Sequence, residues 1–273
     1  MKIEVLETIN HYKYTNHQQD MKKELIGAIN CKNIEKDILI VIKDQLEYLK
    51  VCIDSIFKNT TDFNLYLWDN ASGDETKSYL KELSKKDNVF LFNSEKNEGF
   101  LEPNNRLAEK TKSPYLILLN SDTEVKEGWD KLLVSWLINN PQTKQVGFCG
   151  CLLNEDFKGG LASYGNQIDY LAGWCFCISR DTYNQFGLFD ENNLKFAYCE
   201  DADFSLRVKE AGYEIYALYS DGVSHYENKT TLEVCKDKEF TEMFKGFFES
   251  NHNYMVNRWK GKGVILVEKQ KLS

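Results

Sequence analysis

Between Asp37 and Asp122 the sequence alternates four times between a short apolar run and a stretch with helical spacing, and few folds accommodate that rhythm. DILIVI (Asp37–Ile42) is continuous, apolar and β-branched, as expected of a strand buried on both faces. LEYLKVCIDSIFKNT follows, with Leu46, Leu49, Ile53, Ile56 and Phe57 on one helical face. NLYLWDN, VFLFNS and YLILLNSD repeat the strand pattern, and ETKSYLKELSKK and PNNRLAEKTK are the helices between them. Strands alternating with helices predict an α/β architecture, Rossmann-like, with a mostly parallel central sheet flanked by helices on both faces.

Each predicted strand ends in polar residues: Lys43-Asp44, Asp69-Asn70, Asn93-Ser94 and Asn120-Ser121-Asp122. In open α/β sheets ligands bind beyond the carboxyl ends of the strands, so these clusters are expected to face one crevice. The second half is less regular. VGFCGCLL, WCFCIS and YEIYAL read as strands, and DADFSLRVKEAG reads as a helix closed by Gly212. From Phe240 to Trp259 a helix is expected, with Phe240, Met243, Phe244, Phe247 and Phe248 on one stripe. The expected division is an extension over 1–36, a domain over 37–235 with a nucleotide half and an acceptor half, and a helical tail over 236–273.

The chain of 273 residues carries 34 basic and 42 acidic residues, a net charge of −8. No summed positive field exists to neutralise nucleic-acid phosphates, so nucleic acid is excluded as a general partner. No apolar run is long enough to cross a bilayer, and the charged N-terminal residues lack an apolar signal core. A cytoplasmic location is the expectation, with the tail's aromatic stripe used for packing or a homodimer rather than for peripheral membrane contact. The 8 cysteines sit mostly in apolar runs and read as small buried hydrophobes. Their two C-x-C pairs lack the C-x-x-C spacing of a zinc knuckle.

Four segments carry candidate chemistry. A buried strand delivers Asn120 and Asp122 two residues apart, so both side chains point one way, and a hard divalent cation takes such oxygen ligands. Glu200, Asp201 and Asp203 crowd the start of a helix; its dipole favours negative charge, but their mutual repulsion suggests a cation or a required base. Gly99, after the third strand, permits close approach of a ligand. His225, beyond a strand and near carboxylates, can complete a metal shell. Phosphate-loop, dinucleotide-fingerprint and nucleophile-elbow motifs are absent.

Taken in order, these blocks resemble the family 2 glycosyltransferases of GT-A fold, most closely the rhamnosyltransferase-like branch, from about Asp37 to about His225. The resemblance implies an inverting, metal-dependent transfer of a hexosyl or deoxyhexosyl group from a UDP-, GDP- or dTDP-linked sugar to a glycan or related acceptor, as in polysaccharide biosynthesis. LYLWDNASGDET matches the segment that receives the nucleoside, with Asp69 and Asn70. NEGFLEPNNRLAE matches the donor segment, with Asn97, Gly99 and Asn104. LLNSDTEV matches the D-x-D variant: Asp122 is the implied ligand of Mn²⁺ or Mg²⁺, with His225, and Asn120 stands where many relatives have Asp. LAGWCFCISRDTYNQFGLFDE brings Gly173 and Trp174 to the transferred sugar. CEDADFSLRVKEAG implies Asp201 as catalytic base, Glu200 beside it and Asp203 toward the acceptor. The first strand departs from the pattern, since VIKDQLEY lacks the usual proline and small polar turn. The competing readings are a sugar nucleotidyltransferase, disfavoured by a first turn without glycines, and a catalytically degenerate nucleotide-sugar or carbohydrate-binding protein.

Overall fold

The structure is a computed structural model that describes residues 34–154, 156–157, 159–226 and 238–262. The expected extension over 1–36 therefore lies almost wholly outside the described residues, as does the end of the tail.

Four strands, β1 (Lys36–Ile42), β2 (Phe63–Asn70), β3 (Val89–Ser94) and β4 (Tyr115–Leu119), pair in parallel in the order β3-β2-β1-β4. Helices α1 (Leu46–Asn59), α2 (Asp74–Leu83) and α3 (Leu101–Lys110) make the crossovers. A parallel sheet needs such crossovers, and a strand covered on both faces alternates its side chains between two apolar compartments. β1 does this: Ile38, Ile40 and Ile42 pack in one cluster with Leu49 and Ile53 of α1, whereas Leu39 faces the other with Leu107 of α3.

Beyond β4 the sheet continues through β10 (Cys175–Ser179), β6 (Thr143–Gly147) and β11 (Glu214–Ala217) to seven strands. β10 runs antiparallel to both β4 and β6, so the sheet is mixed rather than purely parallel. Two small sheets lie beside it: β5 (Thr123–Val125) with β12 (Val223–His225), and β7 (Gly150–Leu153) with β8 (Gly160–Ser163) and β9 (Tyr170–Leu171). Helices α4 (Trp129–Asn139), α5 (Arg180–Phe186), α6 (Glu200–Glu210) and α7 (Lys238–Trp259) complete the described elements.

VGFCGCLL, expected as one strand, divides into β6 and β7, which belong to different sheets. Phe148 and Cys149 leave the ladder between them, where the chain passes from the central sheet to the small three-stranded sheet. An apolar run carries no mark of such a change of partner. The short strands β5, β8, β9 and β12 and the helices α4 and α5 were not anticipated.

One buried carboxylate fastens the sheet where β1 begins. Asp37 is 0% exposed and accepts hydrogen bonds from Lys112 N (2.8 Å), Ser113 N (2.7 Å), Ser113 Oγ (2.7 Å) and Asn64 Nδ2 (2.9 Å). It ties β2 and the α3–β4 turn to β1 and so fixes the register that brings the other strand ends level. Asp37→Ala strands these donors in the interior and is expected to cost about 3 kcal/mol or more. Urea denaturation with an unchanged slope and a lower midpoint checks it; an unchanged midpoint refutes it.

Candidate active site

The carboxyl ends of β1, β2 and β4 open into a cavity of about 280 Å³. Lys43, Asn70, Asn97 and Gly99 line its sheet side; Asn120, Ser121 and Asp122 enter from the end of β4; Gly173 and Trp174 precede β10; Glu200 and Asp201 begin α6; and His225 ends β12. Of the residues named from the sequence, Asn70, Asn97, Gly99, Asn120, Asp122, Gly173, Trp174, Glu200, Asp201 and His225 share this wall. Asp122 and Asp201, far apart in the chain, face one space.

Three named residues do not. Asp69 is 0% exposed, with one oxygen accepting the Ser72 amide at 2.9 Å and the other buried without a partner. Asn104 is buried in α3, where it donates to the Phe100 carbonyl at 2.8 Å. Asp203, expected toward the acceptor, points into the protein: Arg207 Nε lies 2.8 Å from one oxygen and Trp259 Nε1 3.1 Å from the other. A helical step of about 200° separates it from Asp201, which turns one carboxylate outward and the other inward.

At the β4 end, His225 Nε2 lies 3.2 Å from Asp122 Oδ1, yet that nitrogen makes no hydrogen bond. The imidazole stacks on Trp174, with ring centroids 5.1 Å apart and planes 11° from parallel. Asn120 Oδ1 is buried without a partner. A carboxylate and an imidazole nitrogen thus lie side by side at one corner, a donor pair that fits a hard divalent cation sharing a ligand's phosphates, and Asn120, two residues before the carboxylate, lines the same cavity. Among the described residues no three His, Cys, Asp or Glu side chains form a metal cluster by themselves. The remaining positions would fall to the ligand and water, as is usual for Mg²⁺.

Across the cavity, Asp201 accepts the Gly173 amide at 2.9 Å and the Ala202 amide at 2.8 Å. Burial pushes its carboxyl above the ordinary value, against the pull of those amides. Glu200 is pushed up much further, by burial first and by the neighbouring Asp201 charge second, and its Oε2 has no partner. Two carboxyls share a buried space there, and Glu200 is the one held further above its ordinary value.

The departure in the first turn is resolved locally. Asp44 (φ 56°) and Gln45 (φ 55°) both adopt left-handed backbone in place of a proline turn. Asp44 Oδ1 accepts the Gly73 amide at 2.6 Å, and Lys43 Nζ reaches the Ala71 carbonyl at 2.8 Å, so this turn is laced to the one after β2.

Sequence reasoning missed the far wall. Phe196, Ala197 and Tyr198 line the cavity from the loop before α6, and Phe240 and Phe244 from α7. The stripe on α7 is spent on this loop: Phe247 stacks on Phe196 (5.6 Å, 3°) and Phe248 meets Tyr198 edge-on (5.8 Å, 85°). Met243, placed on the same stripe, is 44% exposed. Cys149 also differs from the buried thiols of Cys52, Cys175 and Cys177. A hydrogen bond from Cys151, outweighing burial and aided by Trp174, draws the Cys149 thiol down to about 7. Among the described residues no helix is long and apolar enough to cross a membrane.

Comparison with known proteins follows the same lines. Residues 37–153 match the model of Glycosyl transferase family 2. A teichoic acid poly(glycerol phosphate) polymerase of Staphylococcus epidermidis is 29% identical over 91 residues, 32% of this chain but only 13% of that protein's length. The structure resembles GalNAc-T7, solved with UDP, GalNAc and Mn²⁺ (TM-score 0.63, 19% identity, 71% of this chain and 44% of that one). It also resembles the mannosyltransferase PcManGT of Pyrobaculum calidifontis, solved with GDP-Man and Mn²⁺ (TM-score 0.54, 13% identity, 80% and 66%). TarS 1-349 of S. aureus gives a TM-score of 0.55 at 11% identity, covering 83% and 74%. The fold is GT-A.

Gly99 joins the two walls. Its φ is +81°, and a Cβ there would stand 2.3 Å from the Phe196 carbonyl oxygen. Gly128 has the same φ of +81° with nothing within 4 Å. Both Gly→Ala changes are expected to cost the about 1–2 kcal/mol of left-handed backbone. Only Gly99→Ala should also displace the 196 loop, speeding hydrogen exchange at the Phe100 and Leu101 amides that bond the Phe196 carbonyl. Equal exchange at those amides in the two variants would show that the contact does not matter.

Proposed function

We propose that the chain transfers a sugar from a nucleotide-diphosphate sugar to a hydroxyl of a glycan or related acceptor, with inversion at the anomeric carbon and with the help of Mn²⁺ or Mg²⁺. The observation that carries this reading is the pairing, across one cavity, of a cation-binding corner at Asp122 and His225 with the Glu200–Asp201 carboxyl pair. The family 2 match and the nucleotide-sugar ligands of the resembling structures support it.

Each residue's role follows from its surroundings. Asn70 is locked by bonds to the Gly99 carbonyl (2.7 Å) and Asn97 Oδ1 (2.8 Å), which sets the shape of the nucleotide side. Asp122 and His225 would hold the cation, which when bound neutralises charge on the departing diphosphate. Trp174, stacked on His225, offers its flank to the sugar. Asp201 is the base: it takes the proton of the acceptor hydroxyl as that oxygen bonds to the anomeric carbon and the bond to the diphosphate oxygen breaks. The amides of Gly173 and Ala202 aim the carboxylate, and burial lifts its basicity toward the operating pH, which favours proton transfer. Glu200, pushed further above its ordinary value than Asp201, is the weaker acid of the pair.

Screening UDP-, GDP- and dTDP-sugars for nucleoside diphosphate release with Mn²⁺ tests the reading; binding without release would leave a nucleotide-sugar binder. Asp201→Asn is expected to lower kcat by about 10²–10⁴, the usual share of a general base, with nucleoside diphosphate affinity nearly unchanged. Equal losses of binding and turnover would refute the role of base. Because Asp201 must be ionised to act and burial raises its pKa, activity should rise with pH through a midpoint above the ordinary aspartate value. A midpoint at or below that value contradicts the assignment. Full activity in excess chelator would remove the metal from the mechanism.

A further inference from the structure

α7 carries an interruption on its packing face. Asn251, Met255 and Trp259 fall four residues apart on that face, and all three are buried. Met255 and Trp259 pack with Ala202 and Leu206 of α6, as an apolar stripe should. Asn251 is 0% exposed and spends its whole amide on the loop before α6. Its Oδ1 accepts the Lys195 amide at 2.9 Å, and its Nδ2 donates to the carbonyls of Lys195 (2.8 Å), Ala197 (3.1 Å) and Tyr198 (3.1 Å). The reverse orientation of the amide would set its oxygen against three carbonyls, so the network fixes which end is which.

The loop so held is strained. Phe196 (φ 66°), Tyr198 (φ 71°) and Cys199 (φ 74°) are left-handed without being glycine. Such backbone persists only where its surroundings over-determine it. Left-handed residues turn the chain away from any regular ladder, and Asn251 meets the carbonyls this leaves at Tyr198 and at the neighbouring Lys195 and Ala197. The loop touches both halves of the site. On one side the Phe196 carbonyl accepts the amides of Phe100 (2.7 Å) and Leu101 (3.1 Å), at the start of α3 and next to Gly99. On the other side the Cys199 carbonyl accepts the Asp203 amide at 2.9 Å, opening the helix turn that carries Glu200 and Asp201.

We infer that Asn251 is a positioning residue: from the tail helix it holds loop 195–199 in the one conformation that aims the Glu200–Asp201 turn at the cavity while closing the wall against Gly99. The inference rests on the transferase reading for its kinetic consequence but not for its structural one. An apolar residue would suit this stripe better for packing alone; an amide suits it because four backbone groups need partners there.

The test compares Asn251→Ala and Asn251→Asp with Trp259→Phe. The aspartate keeps the shape and the acceptor for Lys195 but presents oxygen where the three carbonyls need a donor. Trp259→Phe removes the indole bond to Asp203 from the same helix face without touching the loop. Hydrogen exchange of the full chain should speed up at the amides of Lys195, Phe100, Leu101 and Asp203 by about tenfold or more in both Asn251 variants, as local opening does, and hardly at all in Trp259→Phe. With a nucleotide sugar that the unmodified chain turns over, kcat should fall about 10- to 100-fold, the usual cost of a misplaced catalytic group, while the Kd for the nucleoside diphosphate stays within about twofold. Unchanged exchange at those amides overturns the inference whatever the kinetics. So does a Trp259→Phe that loses as much kcat for an equal fall in Tm, since the effect would then be general stability. If the unmodified chain turns over no nucleotide sugar, the transferase reading fails, and the exchange pattern alone decides whether Asn251 holds the loop.

Discussion

The antiparallel pairing of β4 with β10 is the contact on which the site depends. Four parallel strands built by local crossovers give a row of polar strand ends but only half a cavity. β10 lies against β4 in the opposite direction, from Cys175 opposite Leu119 to Ser179 opposite Tyr115, and the pairing runs on past the strands as Asn120 N donates to the Trp174 carbonyl at 2.9 Å. The residues leaving β4 are therefore level with the residues entering β10. Asn120, Ser121 and Asp122 meet Gly173 and Trp174 because of that register, and a shift by one residue would turn each side chain to the opposite face. The β5–β12 ribbon then folds back over the same corner and brings His225 onto Trp174 and beside Asp122.

The opposite wall has no ladder to fix it. Loop 195–199 is held by point contacts: two amides at the start of α3 that donate to the Phe196 carbonyl, an asparagine on α7 and the aromatic packing of Phe196 and Tyr198 against the α7 phenylalanines. The sheet fixes one wall of the cavity through its ladder, while the other wall is assembled from a strained loop and a helix far along the chain.

This difference explains what the sequence could tell. The strands and crossover helices from Asp37 to Leu119 were legible because each is a local pattern of burial, and β3 was read to the residue as Val89–Ser94. The polar strand ends were legible for the same reason, since a buried strand that stops at Asn70 or Asn120 delivers those residues to its edge. The break inside VGFCGCLL was not legible, because the apolar pattern is the same whichever sheet receives it. The far wall was hidden more deeply. The Phe240–Phe248 stripe announced packing but not its partner, and Asn251 looked like one polar residue among several in SNHNYMVN. The signal was its spacing: four residues before Met255 and eight before Trp259, it falls on the apolar face, where an amide needs a reason.

The acidic cluster at the start of α6 shows how little composition alone decides. Three carboxylates within four residues look equivalent in the sequence, but helical geometry gives each a different fate. Asp203 turns inward, where Arg207 compensates its charge and Trp259 ties it to the tail, so it is structural. Asp201 turns to the cavity and is held by two amides, which favour its charged form. Glu200 Oε2 is left buried without a partner, and burial reinforced by its neighbour's charge raises its pKa well above the ordinary value. Of three acids close together in the sequence, one is paired inside the protein, one is aimed at the cavity by two amides, and one is shifted toward its neutral form by its surroundings.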